Sequence, residues 1–132
     1  MRAHVCHRRL DGTGACLSAA CAVHCLLMPI VVTLLPLGAL GFLVDEAFER
    51  ALIVGSLVLA TASFCWGYRQ HGRWRTLLIL AAAAILLVAV RPLADGGWEP
   101  VAAGLGGFGL AAGHWLNRRL CRSCRHCDDE AS

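Results

Sequence analysis

Charge and aromatic rings are scarce in this 132-residue chain: 16% of residues are charged and 7% are Phe, Trp or Tyr, against 58% hydrophobic and a mean hydropathy of +0.61. A soluble domain usually carries about 25% charged residues, so the deficit argues against one and fits a chain held mostly in lipid. A nucleic-acid platform needs a basic patch interleaved with aromatics on a folded surface; neither is present, and no nucleic-acid partner is expected. No glycine-rich phosphate loop occurs, so no nucleotide-driven energy source is visible. Rings of carbonyls or charges that would build a channel filter are also missing. Nor does a small-residue cleavage site close the first apolar run, which is far longer than the roughly 7 to 15 residues of a secretory leader. The stretch LSAAC has the look of a lipoprotein acceptor cysteine, but its apolar segment follows the cysteine instead of preceding it. No catalytic constellation stands out, so neither an enzyme nor a resident cofactor is expected.

Long apolar runs are abundant. Four can be read, Ala15 to Val44, Phe48 to Trp66, Thr76 to Val90 and Val101 to Leu116. Each approaches or exceeds the roughly 17 to 25 residues that cross about 30 Å of hydrocarbon once flanking Trp and Arg are counted. The third is short, and spans if Trp74 and Trp98 sit near opposite interfaces while Arg75 and Arg91 snorkel outward. The expected fold is an all-α membrane protein, a single four-helix transmembrane bundle with helices at about 15–44, 48–66, 74–91 and 99–117. A Cys- and Arg-rich tail follows at 118–132.

The basic residues give an orientation. Arg2, Arg8 and Arg9, then Arg69, Arg73 and Arg75, then Arg118, Arg119, Arg122 and Arg125 all fall on one side of a four-span chain. The other two connections hold only Arg50 and Arg91 against Asp45, Glu46, Glu49, Asp95 and Glu99. Cytoplasmic segments are enriched in Lys and Arg, so both termini are expected in the cytoplasm. The acidic outer connections would modestly concentrate cations there. Stripes of small residues, Ser56, Ala60, Ser63 and Gly67 in the second helix and Ala102, Gly106, Gly109 and Gly113 in the fourth, predict close helix contacts within the bundle or between copies of it.

Eight cysteines remain to be explained. An even count in a small secreted protein suggests disulfides. Here Cys6, Cys121, Cys124 and Cys127 fall in segments assigned to the reducing side, and Cys16, Cys21, Cys25 and Cys65 lie in or near the membrane, so free thiols are expected. Cys16 and Cys65 read as small hydrophobes. Cys21, His24 and Cys25 stand at i, i+3 and i+4 and share one helix face, with Ser18 a turn earlier. Pro29 has no amide hydrogen, which frees the Cys25 carbonyl, and Pro36 does the same for Val32. Two thiols, an imidazole and a free carbonyl make a polar pocket in an apolar wall, and an ionisable residue in a spanning helix is a functional candidate.

Soft thiolate ligands select soft or borderline cations such as Cu(I), Zn(II) or Hg(II). A divalent ion held by two thiolates carries no net charge, which lowers the cost of holding it in a low dielectric. At the other end of the chain CRSCRHC places Cys121, Cys124 and Cys127 three residues apart, with His126 adjacent. If the helix continues they form a one-sided ladder; if it frays, the segment can wrap an ion. The neighbouring arginines favour thiolate. No fourth cysteine follows Cys127 for an iron–sulfur cluster, and a static zinc site would draw on His126, His114 or Cys6.

The chain resembles the MerC-type inner-membrane proteins of bacterial mercury resistance. The likeness rests on CAVHCLLMPIVVTLLP in the first helix, the GYRQHGRWR turn and the terminal HWLNRRLCRSCRHC. It implies a multi-pass bacterial inner-membrane protein that imports Hg(II) through a first-helix cysteine pair. Cytoplasmic cysteines then pass the ion to mercuric reductase or a small thiol. By position the pair is Cys21 and Cys25, and the exit ligands come from Cys121, Cys124 and Cys127. The better-known carriers space their first-helix cysteines more closely; here three residues intervene and one is His24, the mark of a Cys-x-x-His-Cys sub-branch. His with Cys also suits zinc or copper, so transport of those ions is the first alternative. A membrane thiol-redox protein and a purely structural one, including a homo-oligomer, are the others.

Overall fold

The computed structural model describes residues 2–34, 41, 45–94 and 97–129, and the side chains from residue 10 to residue 122 within those ranges. Four helices make up the fold, and no strand occurs among the described residues. Helix α1, Arg2–Leu34, starts well before Ala15 and stays helical through Pro29. Pro36 and the last third of the first apolar run lie outside the described residues. Helix α2, Glu46–His71, has ends set by local chemistry. The Asp45 carboxylate accepts the Ala47 N–H at 2.8 Å, Glu46 and Glu49 occupy the first turn, and Arg69 and His71 the last. All of these complement the helix dipole. Gly72 closes the helix in the left-handed region at φ 62°, its N–H on the Tyr68 carbonyl at 2.8 Å, a backbone that costs glycine no Cβ clash.

Helix α3, Arg75–Ala84, widens into π-helical turns over Ile85–Val90 and tightens into a 3-10 turn at Arg91–Leu93. Helix α4, Trp98–Asp129, runs on through CRSCRHC, so the tail segment is a continuation of the helix. By length and composition three segments can cross a membrane, Leu10–Leu34, Glu46–His71 and Arg75–Leu93; among the described residues α4 does not qualify. The reason is its glycines together with His114 and Asn117, and its position fits this makeup. It packs against α1, α2 and α3, with Ala102, Ala103, Gly106, Gly107, Leu110 and His114 all buried.

Large apolar side chains turn outward instead, among them Val54 and Val58 on α2, Leu78, Ile85 and Val88 on the third segment and Leu105 on α4. An apolar exterior around a core containing polar groups suits a lipid solvent. The core itself joins Cys21, Cys25, Ile53, Phe64, Leu87 and Leu110. Close approach is fixed at Gly107, where a Cβ would lie 2.8 Å from Ala22 Cβ and 3.0 Å from Ala22 Cα, so α1 and α4 cross nearly backbone to backbone.

Candidate functional site

Cys21 and Cys25 are buried, at 0% and 4% exposure, on the face of α1 that meets α2 and α4. They stand one helical turn apart, and Ser56 of α2 is buried in the same core. Cys25 also meets a cavity of about 410 Å³ whose walls include Met28, Pro29, Glu49, Arg91 and Glu99. The thiol donates to Glu49 Oε1 at 3.6 Å. Arg91, just after the π-helical segment, reaches Glu49 Oε2 at 2.8 Å and Glu99 Oε1 at 3.2 Å. One guanidinium thus ties the first turn of α2 to the first turn of α4 beside a buried thiol. Arg91 and Glu49 are mostly shielded, at 18% and 24% side-chain exposure, so their pairing is screened less than a surface ion pair.

Below the thiols the same seam stays polar. Asp11, Gly14, Ser18, Cys21 and Cys25 follow one another on α1 at spacings of three or four, as do Ser56, Ala60, Ser63 and Gly67 on α2, and all are buried. Asp11 is 2% exposed. Its carboxylate accepts from Ser63 Oγ, from His114 Nδ1 at 3.2 Å and from Asn117 Nδ2 at 3.1 Å on each oxygen. Asn117 Nδ2 also donates to the Ser63 carbonyl at 3.3 Å, and Asn117 Oδ1 lies 3.0 Å from His71 Nε2. A carboxylate at membrane depth is costly unless its lone pairs are filled; here donors from α2 and α4 fill them. Glycine makes the room: a Cβ on Gly14 would strike the His114 ring and one on Gly67 would strike the Asn117 carboxamide.

The remaining site residues fall as follows. His24 is half-buried, its ring edge-on to Phe48 at 5.4 Å between centroids. Cys16 and Cys65 are exposed on the outside of the bundle and do not join the thiol pair, and Cys121 is half-exposed on α4. These five cysteines are all free thiols. Cys124, His126 and Cys127 lie within α4, but their side chains, like that of Cys6, are outside the described residues. Among the described residues no three His, Cys, Asp or Glu side chains are gathered into a closed shell for an ion. His114, a candidate for completing a zinc site, is committed to Asp11.

Sequence reasoning missed Glu49 and Arg91 as site residues, counting them only as outer charges, and missed the partners of Asp11. A signal for Asp11 exists, since it continues the i, i+3, i+4 face of Cys25, Cys21 and Ser18. Where α4 leaves the bundle, Trp115, Arg118, Arg119 and Arg122 line a further cavity of about 270 Å³, with the Arg119 guanidinium 3.8 Å above the Trp115 ring. An aromatic and several arginines at such a level are the usual anchors of a membrane interface.

No curated protein and no solved structure matches the chain. The MerC mercury resistance protein family matches over residues 11–119, from the buried Asp11 through the thiol pair and cavity to Arg119, and stops short of the tail cysteines. With most of its length matched, and with helices long and apolar enough for a multi-pass membrane protein, the chain belongs to the MerC mercury resistance family.

Proposed function

We propose that this protein carries mercuric ion inward across the bacterial inner membrane by thiol exchange, with all four helices in the bilayer and both termini in the cytoplasm. One observation carries the reading: in a mercury resistance protein, one of two buried thiols a helical turn apart, Cys25, lies at the wall of a cavity that holds two carboxylates and an arginine. The cavity is framed by the first turns of α2 and α4, which belong to the acidic, outer connections. The arginine-rich segments fall at the other end. An ion entering there meets Cys25 and then Cys21. Each thiol gives up one proton as it forms its bond to the metal, so two protons leave per divalent ion. The product is neutral, which suits the low dielectric around it. His24, beside Cys25, serves as a further ligand or takes up a thiol proton.

The second half of the path is longer. Cys21 lies near the level of Gly107, because Ala22 packs on it, and Cys121 is fourteen residues further along α4. At 1.5 Å per residue that is about 21 Å. A single exchange between them does not fit straight helices. The ion passes the polar seam of Ser18, Ser63, Asp11 and His114 before Cys121, Cys124, Cys127 and His126 take it, and mercuric reductase or a small cytoplasmic thiol provides the final sink.

The test is mercury accumulation in cells expressing the protein. Cys21→Ser and Cys25→Ser are each expected to lower uptake by about tenfold or more, the scale of losing one of two metal ligands. Accumulation equal to the parent in both variants, at equal protein level in the membrane, would refute the reading.

A further inference from the structure

We infer that Glu49 is the third donor of the metal site, reaching across from α2 to the thiols of α1, with Arg91 holding it in position; this rests on the thiol-site reading above. The geometry points there for three reasons. First, the two carboxylate oxygens are divided in their duties: Oε2 is on Arg91 at 2.8 Å, and Oε1 faces Cys25 Sγ at 3.6 Å. A metal with bonds of about 2.3 Å to sulfur and about 2.1 Å to oxygen in a tetrahedral arrangement separates those two atoms by about 3.6 Å. The sulfur–oxygen edge of a coordination shell therefore stands ready, and Cys21, one turn before Cys25 on the same buried face, would bring the second sulfur.

Second, the charges close. Two thiolates offset a divalent cation, and Arg91 offsets Glu49, so the third donor adds no net charge of its own; Glu99, the other carboxylate on Arg91, is half-exposed. Third, Glu49 lines the cavity through which the ion would come, in company with Glu99. A carboxylate held by a second partner while it faces a metal ligand is the arrangement by which outer groups orient ligands. Arg91 is accordingly a positioning residue.

The consequence is a choice among metals. Hg(II) is satisfied by two thiolates and gains little from an oxygen ligand. Borderline cations such as Cd(II) and Zn(II) want three or four donors and accept oxygen. Glu49 thus lets the same thiol pair hold the harder ions.

The experiment uses the purified full-length protein in detergent, titrated with Hg(II) and with Cd(II), and followed by the thiolate-to-metal absorption in the ultraviolet. Glu49→Gln is expected to weaken Cd(II) binding by about tenfold or more while Hg(II) binding stays close to the parent. Glu49→Asp, which keeps the carboxylate, should recover part of the loss. Glu46→Gln, whose residue is exposed and paired with Arg50, should leave Cd(II) binding as it was. Helical circular dichroism confirms that each variant is folded. Unchanged Cd(II) affinity in Glu49→Gln overturns the inference. So does an equal loss for both metals, or the same loss in Glu46→Gln. If instead Cys21→Ser and Cys25→Ser leave Hg(II) bound as tightly as before, it is the thiol site itself that fails.

Discussion

Cys21 and Cys25 do at the residue scale what neither does alone. One buried thiol is a small hydrophobe; two a turn apart on one buried face, with Glu49 against Cys25, are the pair to which the proposed function assigns the cation. The pair was legible in the sequence because both members sit on one helix face, and helical spacing is local information. Glu49 was not, because the contact of Cys25 with it spans 24 residues and depends on how α2 lies against α1. Thiol chemistry sets a pH dependence here. On the proposed function two protons leave per ion, so binding is expected to weaken as pH falls, by up to about 100-fold per unit while both thiols start protonated. Titrating Hg(II) against iodide at two pH values reads this directly, and a pH-independent constant would mean that the thiols are not the ligands.

Among elements, α4 is the one whose makeup and place explain each other. It is the least lipid-like helix and the most surrounded, and its polar side chains enter notches cut by glycine in its neighbours, His114 at Gly14 of α1 and Asn117 at Gly67 of α2. The stripe containing Gly67 was readable as a site of close contact. What fills it was not, since a small residue marks a space and says nothing of its occupant. Gly14→Ala and Gly67→Ala are each expected to destabilise the bundle by about 1 to 3 kcal/mol, as overpacking does, and each would disturb the hydrogen bonds of Asp11. Gly12→Ala on the same helix, where a Cβ meets nothing within 4 Å, should be near neutral. Unfolding in detergent, followed by circular dichroism, separates the two cases, and equal stabilities for all three would refute the notch assignment.

On the scale of the whole molecule the chain is polarised along its length. Carboxylates gather where α2 and α4 begin, and arginines where α2 ends and α4 leaves the bundle, with Trp115 under Arg119 as an anchor. By the positive-inside rule, the proposed topology has the Cys121 end in the cytoplasm. A membrane-impermeant maleimide added to intact spheroplasts should leave the Cys121 peptide unlabelled in a mass spectrum and label it once the membrane is opened. Labelling before opening would reverse the topology and with it the direction of transport.

The sequence by itself determined the membrane class, the number of helices, the polarity of charge and the cysteine pair with its histidine, because hydropathy, charge and helical spacing act over a few turns of one chain segment. It also carried the resemblance that the family match bears out. Tertiary structure alone decided that α1 begins near Arg2, that Glu49 and Arg91 share a cavity with Cys25, that Cys16 and Cys65 stand apart, and that Asp11 is held by α2 and α4. Those outcomes depend on rotation and depth of one helix against another. Between lipid-solvated helices these are set by the shapes and polar pairings that meet across the interface, and no spacing within a single helix encodes them.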